Sequence, residues 1–227
     1  IDIEAIDETN CKVRVEDLTR SIKAADAGMV MLVGVQSNQF PRAVDLARPF
    51  LAAGLPVCIG GFHISGCIAM LPEMPPDMRE AQALGISFFA GEAEEGRFDA
   101  VLRDAWEGKL APLYNHMDKL PNLQGQPPPI LPRKHVRRTS GSLSSMDLGR
   151  GCPYQCSFCT IINVQGRKSR FRSPDDLEKI IHRRNFFELL GDEPLQKIDR
   201  DVVVLLSRQF DQAVDLISDV NLLVERQ

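Results

Sequence analysis

The sequence predicts an α/β protein in which a parallel sheet is wrapped by helices. Three observations carry this prediction. Short apolar runs at residues 29–35 (MVMLVGV), 55–59 (LPVCI) and 86–89 (ISFF) have the length of buried strands. Helical periodicity separates them, at residues 16–27, 41–53 and 97–107. Turn residues follow each run, and strand alternating with helix at this rhythm is the mark of βα units.

The elements follow in order. Residues 1–7 (IDIEAID) alternate apolar and acidic positions and read as a short strand. Leu18, Ile22 and Ala25 share one face of a helix over 16–27, with Gly28 as its stop. The run 29–35 reads as a strand buried on both faces, and Ser37-Asn38 as a turn. Val44, Ala47 and Leu51 mark one side of a helix over 41–53, in which Pro49 costs about 3 kcal/mol unless the helix kinks. A proline-rich loop (Pro72, Pro75, Pro76) precedes a helix over about 77–83. Phe98, Val101, Leu102 and Ala105 form the inward stripe of a helix ending before Gly108.

Residues 113–145 read as a linker, extended at Gly125-Gln126-Pro127-Pro128-Pro129. The basic run 133–138 is read as a solvated linker face, with contact to an anion as the alternative. Arg167, Lys168, Arg170 and Arg172 read as a surface charge run, or as cations that offset cluster and carboxylate charge. Ser173-Pro174-Asp175-Asp176 starts a helix: Ser173 is a natural N-cap, Pro174 suits the first turn, and the two aspartates favour the positive helix end. Leu177, Ile180 and Ile181 make its buried stripe. Residues 185–227 stay unassigned, with a strand at 202–206 and a helix at 210–223.

Composition excludes several classes. The 227 residues are 44% hydrophobic and 26% charged, with net charge −4, as in an ordinary water-soluble domain. Nothing draws such a chain to nucleic acid, and no run reaches the roughly 18 apolar residues of a membrane span. The first residues form no signal peptide, and the six cysteines suit a reducing compartment, so the cytoplasm is expected. The chain does not begin with Met and is expected to be a fragment.

Parallel sheets take ligands in the loops beyond the carboxyl ends of their strands. Those loops are Ser37-Asn38, Gly60-Gly61-Phe62-His63 and Gly91-Glu92-Ala93-Glu94. Their glycines allow a large flat ligand to approach the backbone, or serve turn geometry alone.

The densest chemistry lies at Cys152-Pro153-Tyr154-Gln155-Cys156-Ser157-Phe158-Cys159. Three thiolates at C-x3-C-x2-C can hold three irons of a cubane cluster and leave the fourth open, whereas most clusters take four thiolates. A disulfide framework fits poorly, because three clustered cysteines cannot all pair. A zinc site with His135 or His182 as fourth ligand is the alternative, although zinc favours C-x2-C or C-x4-C pairs.

This loop resembles the signature of radical S-adenosylmethionine (SAM) enzymes. The surrounding residues, Arg150-Gly151 before the loop and Thr160 through Asp176 after it, are similar to the subgroup with an N-terminal cobalamin-binding domain. The resemblance is specific over about 146–183 and looser over about 1–115. It implies a doubly wound, Rossmann-like cobalamin-binding domain over 1–112, a linker over 113–145, and the start of a β/α barrel over 146–184, truncated. Met146–Gly151 would end the first barrel strand. Two points stand out. The cobalt-ligand pattern D-x-H-x-x-G is absent, so His63 is read as a hydrogen-bonding residue rather than a ligand, and the resemblance leads us to expect a first strand–helix unit before residue 1 that would supply one edge of the groove.

The resemblance also implies the chemistry. Cys152, Cys156 and Cys159 would hold a [4Fe–4S] cluster, and Phe158 would pack near the SAM adenine or fill the barrel core. Ser37, Gly60, Gly61, His63, Gly91 and Glu92 would line the cobalamin groove. An electron from a donor such as flavodoxin or ferredoxin would cleave SAM to a 5′-deoxyadenosyl radical. Methylcobalamin would then deliver a methyl group to an unactivated carbon of a small-molecule or lipid substrate. The alternatives are a non-catalytic remnant that binds a cluster or corrinoid, and a zinc-stabilised interaction module.

Overall fold

The computed structural model describes residues 3–6, 8, 12–127 and 147–182. The basic run 133–138, His135, the His182 side chain and residues 185–227 lie outside the described residues. A four-stranded parallel sheet is built from β1 (Val30–Leu32), β2 (Val57–Gly60), β3 (Ser87–Ala90) and β4 (Leu113–Asn115), in the order β1-β2-β3-β4. Register is continuous: Val30 faces Val57, Cys58 faces Ser87, and Phe89 faces Tyr114. The connecting helices are α2 (Phe40–Ala52), α3 (Phe62–Met70), α4 (Pro76–Ala83) and α5 (Arg97–Trp106), with α1 (Val15–Lys23) ahead of β1.

Side-chain alternation places a core on each face of the sheet. Val57, Ile59, Phe88 and Ala90 point to one face, where Phe40, Ala43, Ala47 and Phe50 of α2, Ile64 of α3 and Met78 and Ala81 of α4 pack on them. Cys58, Phe89 and Tyr114 point to the other, under Val101 and Phe98 of α5. Helices therefore cover both faces, as the sequence predicts. Pro49 sits inside α2 near its end, and the helix continues to Ala52.

Four expectations need correction. Residues 3–6 carry no regular structure and Ile3 is 86% exposed; alternation alone does not make a strand without a neighbour to pair with. The fourth strand is instead Leu113–Asn115, inside the expected linker. Three residues with one polar member leave no periodic signal, and β4 is held by pairing to β3 and by the Tyr114 hydroxyl, which donates to Asp104 at 2.7 Å. The run 29–35 shrinks to a half-buried β1, because this strand pairs on one side only among the described residues. Phe62 and His63, expected as loop, open α3.

α3 was masked by its composition. It holds no charged residue and has Gly66 in its middle, so it shows no amphipathic stripe. Both of its glycines have steric reasons. Gly61, with φ of 143°, precedes the helix, and a Cβ there would collide with the backbone nitrogen of Val35. A Cβ on Gly66 would lie 3.0 Å from the Thr160 methyl.

Residues 147–177 fold onto this sheet unit as an arm. Its hairpin pairs β5 (Gly149–Arg150) with β6 (Arg170–Phe171) in antiparallel register, Gly149 opposite Phe171 and Arg150 opposite Arg170. Of the barrel strand expected to end at 146–151, the described residues show this two-residue antiparallel strand, and no barrel is formed among them. Between the hairpin strands lie the cysteine loop and α6 (Ile161–Val164). α7 (Pro174–His182) follows. It starts as predicted: the Ser173 hydroxyl accepts from the Asp176 N–H, and the Asp176 carboxylate accepts from the Ser173 N–H and hydroxyl, a reciprocal cap. No helix among the described residues is long and apolar enough to cross a membrane.

Candidate functional site

The carboxyl ends of the four strands and the cysteine arm meet on one side of the unit. Ser37 is exposed after β1, and its Oγ lies 3.2 Å from His63 Nδ1 in the first turn of α3. The imidazole stacks on Phe40 with ring centroids 4.3 Å apart. Its Nε2 is buried without a hydrogen-bond partner, and the nearest charge, Asp77, lies 4.0 Å away. Thus His63 makes the expected hydrogen bond and keeps its second ring nitrogen unused.

Burial holds the His63 imidazole below its ordinary value, with Asp77 pulling the other way. His116, after β4, is also lowered, by burial first and then by Arg97. Neutral imidazole is thus the folded form of both. The unfolded chain protonates first as pH falls, so their contribution to stability is complete above about 6.5 and declines below it. The melting temperature is expected to drop between about pH 7 and pH 5, and His63→Gln should flatten that drop. A scanning-fluorimetry series across this window checks it.

The glycines of the carboxyl edge face protein. Gly61 lies on Val35, and Gly91, with φ of 109°, would place a Cβ 2.9 Å from the carbonyl of His116. Gly60 lies against Phe89, and Gly91 N–H donates to Ser65 Oγ at 3.0 Å. These residues lock the strand-end loops together, and Ser37 is the exposed member of the predicted set.

Glu92 is buried and carries two guanidinium groups. Arg150 Nη1 donates to its Oε2 at 2.8 Å, and Arg170 Nη1 donates to the same oxygen at 3.2 Å, while Arg170 Nη2 takes Oε1. Arg150 also pairs with Glu94 at 2.6 Å and Asp147 at 2.8 Å. Burial alone would pull the Arg150 guanidinium down, but Glu94 and Asp147 outweigh it and raise it. Arg172 is buried and donates to Asp147 and to the carbonyls of Asp147 and Gln126. Two of the four cations read as a surface run are therefore enclosed ion-pair residues, the reading that had them offset carboxylates. The pairing of Arg150 with Glu92, Glu94 and Asp147 escaped the sequence reading, which named the two glutamates only as part of a ligand loop. The signal was present: arginines at 170 and 172 share a face at strand period, opposite a G-E-x-E loop.

The cysteine loop itself stands out from the unit. Gly151, with φ of 91°, turns the chain, and Cys152 N–H donates to the Gly166 carbonyl at 3.2 Å. Cys159 N–H donates to the Cys156 carbonyl at 3.1 Å. Cys156 is exposed, Cys152 and Cys159 are half-buried, and all three thiols are free. Among the described residues no three His, Cys, Asp or Glu side chains converge on a point that would hold a metal ion. The donor set, three unpaired soft ligands on eight residues, fits thiolate ligation of iron. Phe158 is 89% exposed, so it fills no core in this unit and its ring is open to a ligand.

Three curated relatives resemble the chain. It is 31% identical to a bacteriochlorophyllide d C-8(2)-methyltransferase of Chlorobaculum tepidum over 169 residues, 70% of this chain and 35% of the relative. It is 27% identical to a hopanoid C-2 methylase of Rhodopseudomonas palustris over 153 residues, 67% of the chain and 26% of that enzyme. A bacteriochlorophyllide d C-12(1)-methyltransferase of Chlorobaculum tepidum is 32% identical over 127 residues, 55% of the chain and 25% of the relative. The chain thus spans about a third or less of the length of these relatives. No family model matches the chain, and no solved structure does. All three relatives are methyl-transferring enzymes by name.

Proposed function

We propose that the chain is part of a cobalamin-dependent radical SAM methyltransferase. The observation that carries this reading is the C-x3-C-x2-C loop, mounted with all thiols free beside the carboxyl edge of a parallel sheet. Similarity to enzymes named as methylases supports it from a separate direction. Cys152, Cys156 and Cys159 would hold a [4Fe–4S] cluster, whose chemistry is one-electron cleavage of SAM. The exposed Phe158 ring offers a stacking surface for the adenine. Ser37, Gly60, Gly61, His63, Gly91 and Glu92 would line the corrinoid side of this edge, with exposed Ser37 as its open member and the Nε2 of His63 buried behind it without a partner. The relatives' names span a chlorophyllide and a hopanoid, which fits a small-molecule or lipid substrate.

The test is electron paramagnetic resonance on anaerobically reconstituted, dithionite-reduced protein, with and without SAM. A [4Fe–4S]⁺ signal that changes when SAM is added, together with formation of 5′-deoxyadenosine, is expected. A signal indifferent to SAM would leave the non-catalytic remnant. Stoichiometric zinc without sulfide would overturn the reading in favour of the interaction module.

A further inference from the structure

The cysteine loop hangs between two attachments. On its C-terminal side α6 rests on α3, where Gly66 admits the Thr160 methyl and Asn163 Nδ2 donates to Met70 Sδ at 3.2 Å. On its N-terminal side the hairpin β5–β6 has two residues in each strand, too few to hold itself in water. The charged groups there come from both parts of the unit: Glu92 and Glu94 from the loop after β3, and Asp147, Arg150, Arg170 and Arg172 from the arm. Glu92 has the most buried carboxylate of the set, with a side chain 6% exposed, and it takes an arginine from each hairpin strand.

We propose that Glu92 is a positioning residue that pins the cysteine arm to the carboxyl edge of the sheet. A carboxylate this enclosed is stable only while both guanidinium groups stay on it. Because Arg150 and Arg170 are opposite one another in the hairpin, one anion fixes both strands at once. Arg150 lies two residues before Cys152, so the pin sets where the loop leaves the sheet. Glu92 then orients the thiols relative to Ser37 and His63 through the two arginines that its carboxylate holds. Its importance for turnover rests on the proposed function, but the pin itself does not.

Hydrogen exchange on the full chain tests it. In Glu92→Gln, amides of residues 147–152 and 166–172 are expected to exchange at least about tenfold faster, while those of α6, β2 and β3 stay as in the wild type. Glu92→Asp, which keeps the charge, should restore part of the protection. Arg170→Lys, which keeps the charge but loses the fork, should loosen the same two segments and serves if Glu92→Gln does not fold. Unchanged exchange in the arm, or equal loosening of arm and sheet, would overturn the pin. Iron content of the reconstituted wild type is read in parallel: no iron there would sink the cluster reading and leave the pin standing.

Discussion

Cys156→Ala is expected to bring SAM cleavage by the reconstituted protein below about one-thousandth of wild type, a loss of about 4 kcal/mol in transition-state stabilisation. Cys156 is the exposed middle thiol of the loop and packs against no core. Its removal therefore leaves the fold within about 0.5 kcal/mol of wild type, the ordinary range for surface changes. Cys58→Ala is the opposing control. Cys58 is fully buried between β strands, and burial pushes its thiol up to about 11, so it is neither a thiolate nor reachable by iron. That variant should lose stability by leaving a small cavity, while keeping iron and 5′-deoxyadenosine formation near wild type. Iron and sulfide assay, product chromatography and a denaturation curve on both variants separate the outcomes. Retained cleavage in Cys156→Ala would mean that the triad does not hold the cluster.

The motif was legible because its chemistry is written in residue type and spacing, which need no partner to be seen. The sheet was legible for a similar reason: runs such as 29–35 and 55–59 carry no polar side chain, a composition that suits a strand covered on both faces. What escaped was decided by partners distant in sequence. Leu113–Asn115 is a strand because β3 lies beside it, and residues 3–6 are not because no described residue pairs with them. α3 lost its pattern because Gly66 serves contact with Thr160, nearly a hundred positions on, rather than helix propensity. Arg170 and Arg172 looked like surface charge because the carboxylates that enclose them, Glu92 and Asp147, are read as separate loops along the chain. Gly61 and Gly91 were readable as positions that need glycine, but the sequence left open whether a ligand or the backbone of Val35 and His116 fills the space in front of them.

Arg172 carries the largest expected effect on stability. Its side chain is completely enclosed, and its guanidinium donates at 3.0 Å to the Asp147 carbonyl, at 2.8 Å to the Gln126 carbonyl and at 3.2 Å to the Asp147 carboxylate. Arg172→Ala takes the donor from both carbonyls and leaves the Asp147 carboxylate to Arg150 alone, and breaking one side of a buried pair costs about 3–5 kcal/mol. Against a total stability of about 5–15 kcal/mol, this lowers the urea midpoint by about 1 M or more. Arg167→Ala, an exposed change in the same basic segment, should move it by no more than about 0.5 kcal/mol. Removing both charges tells cation loss from packing loss. In Arg172→Met with Asp147→Leu no charge is left stranded, and the long apolar side chain keeps much of the filled volume, so the pair should be more stable than Arg172→Ala alone. If the double variant is instead the less stable, the guanidinium holds the arm through the carbonyls of 126 and 147, and its ion pair with Asp147 is secondary.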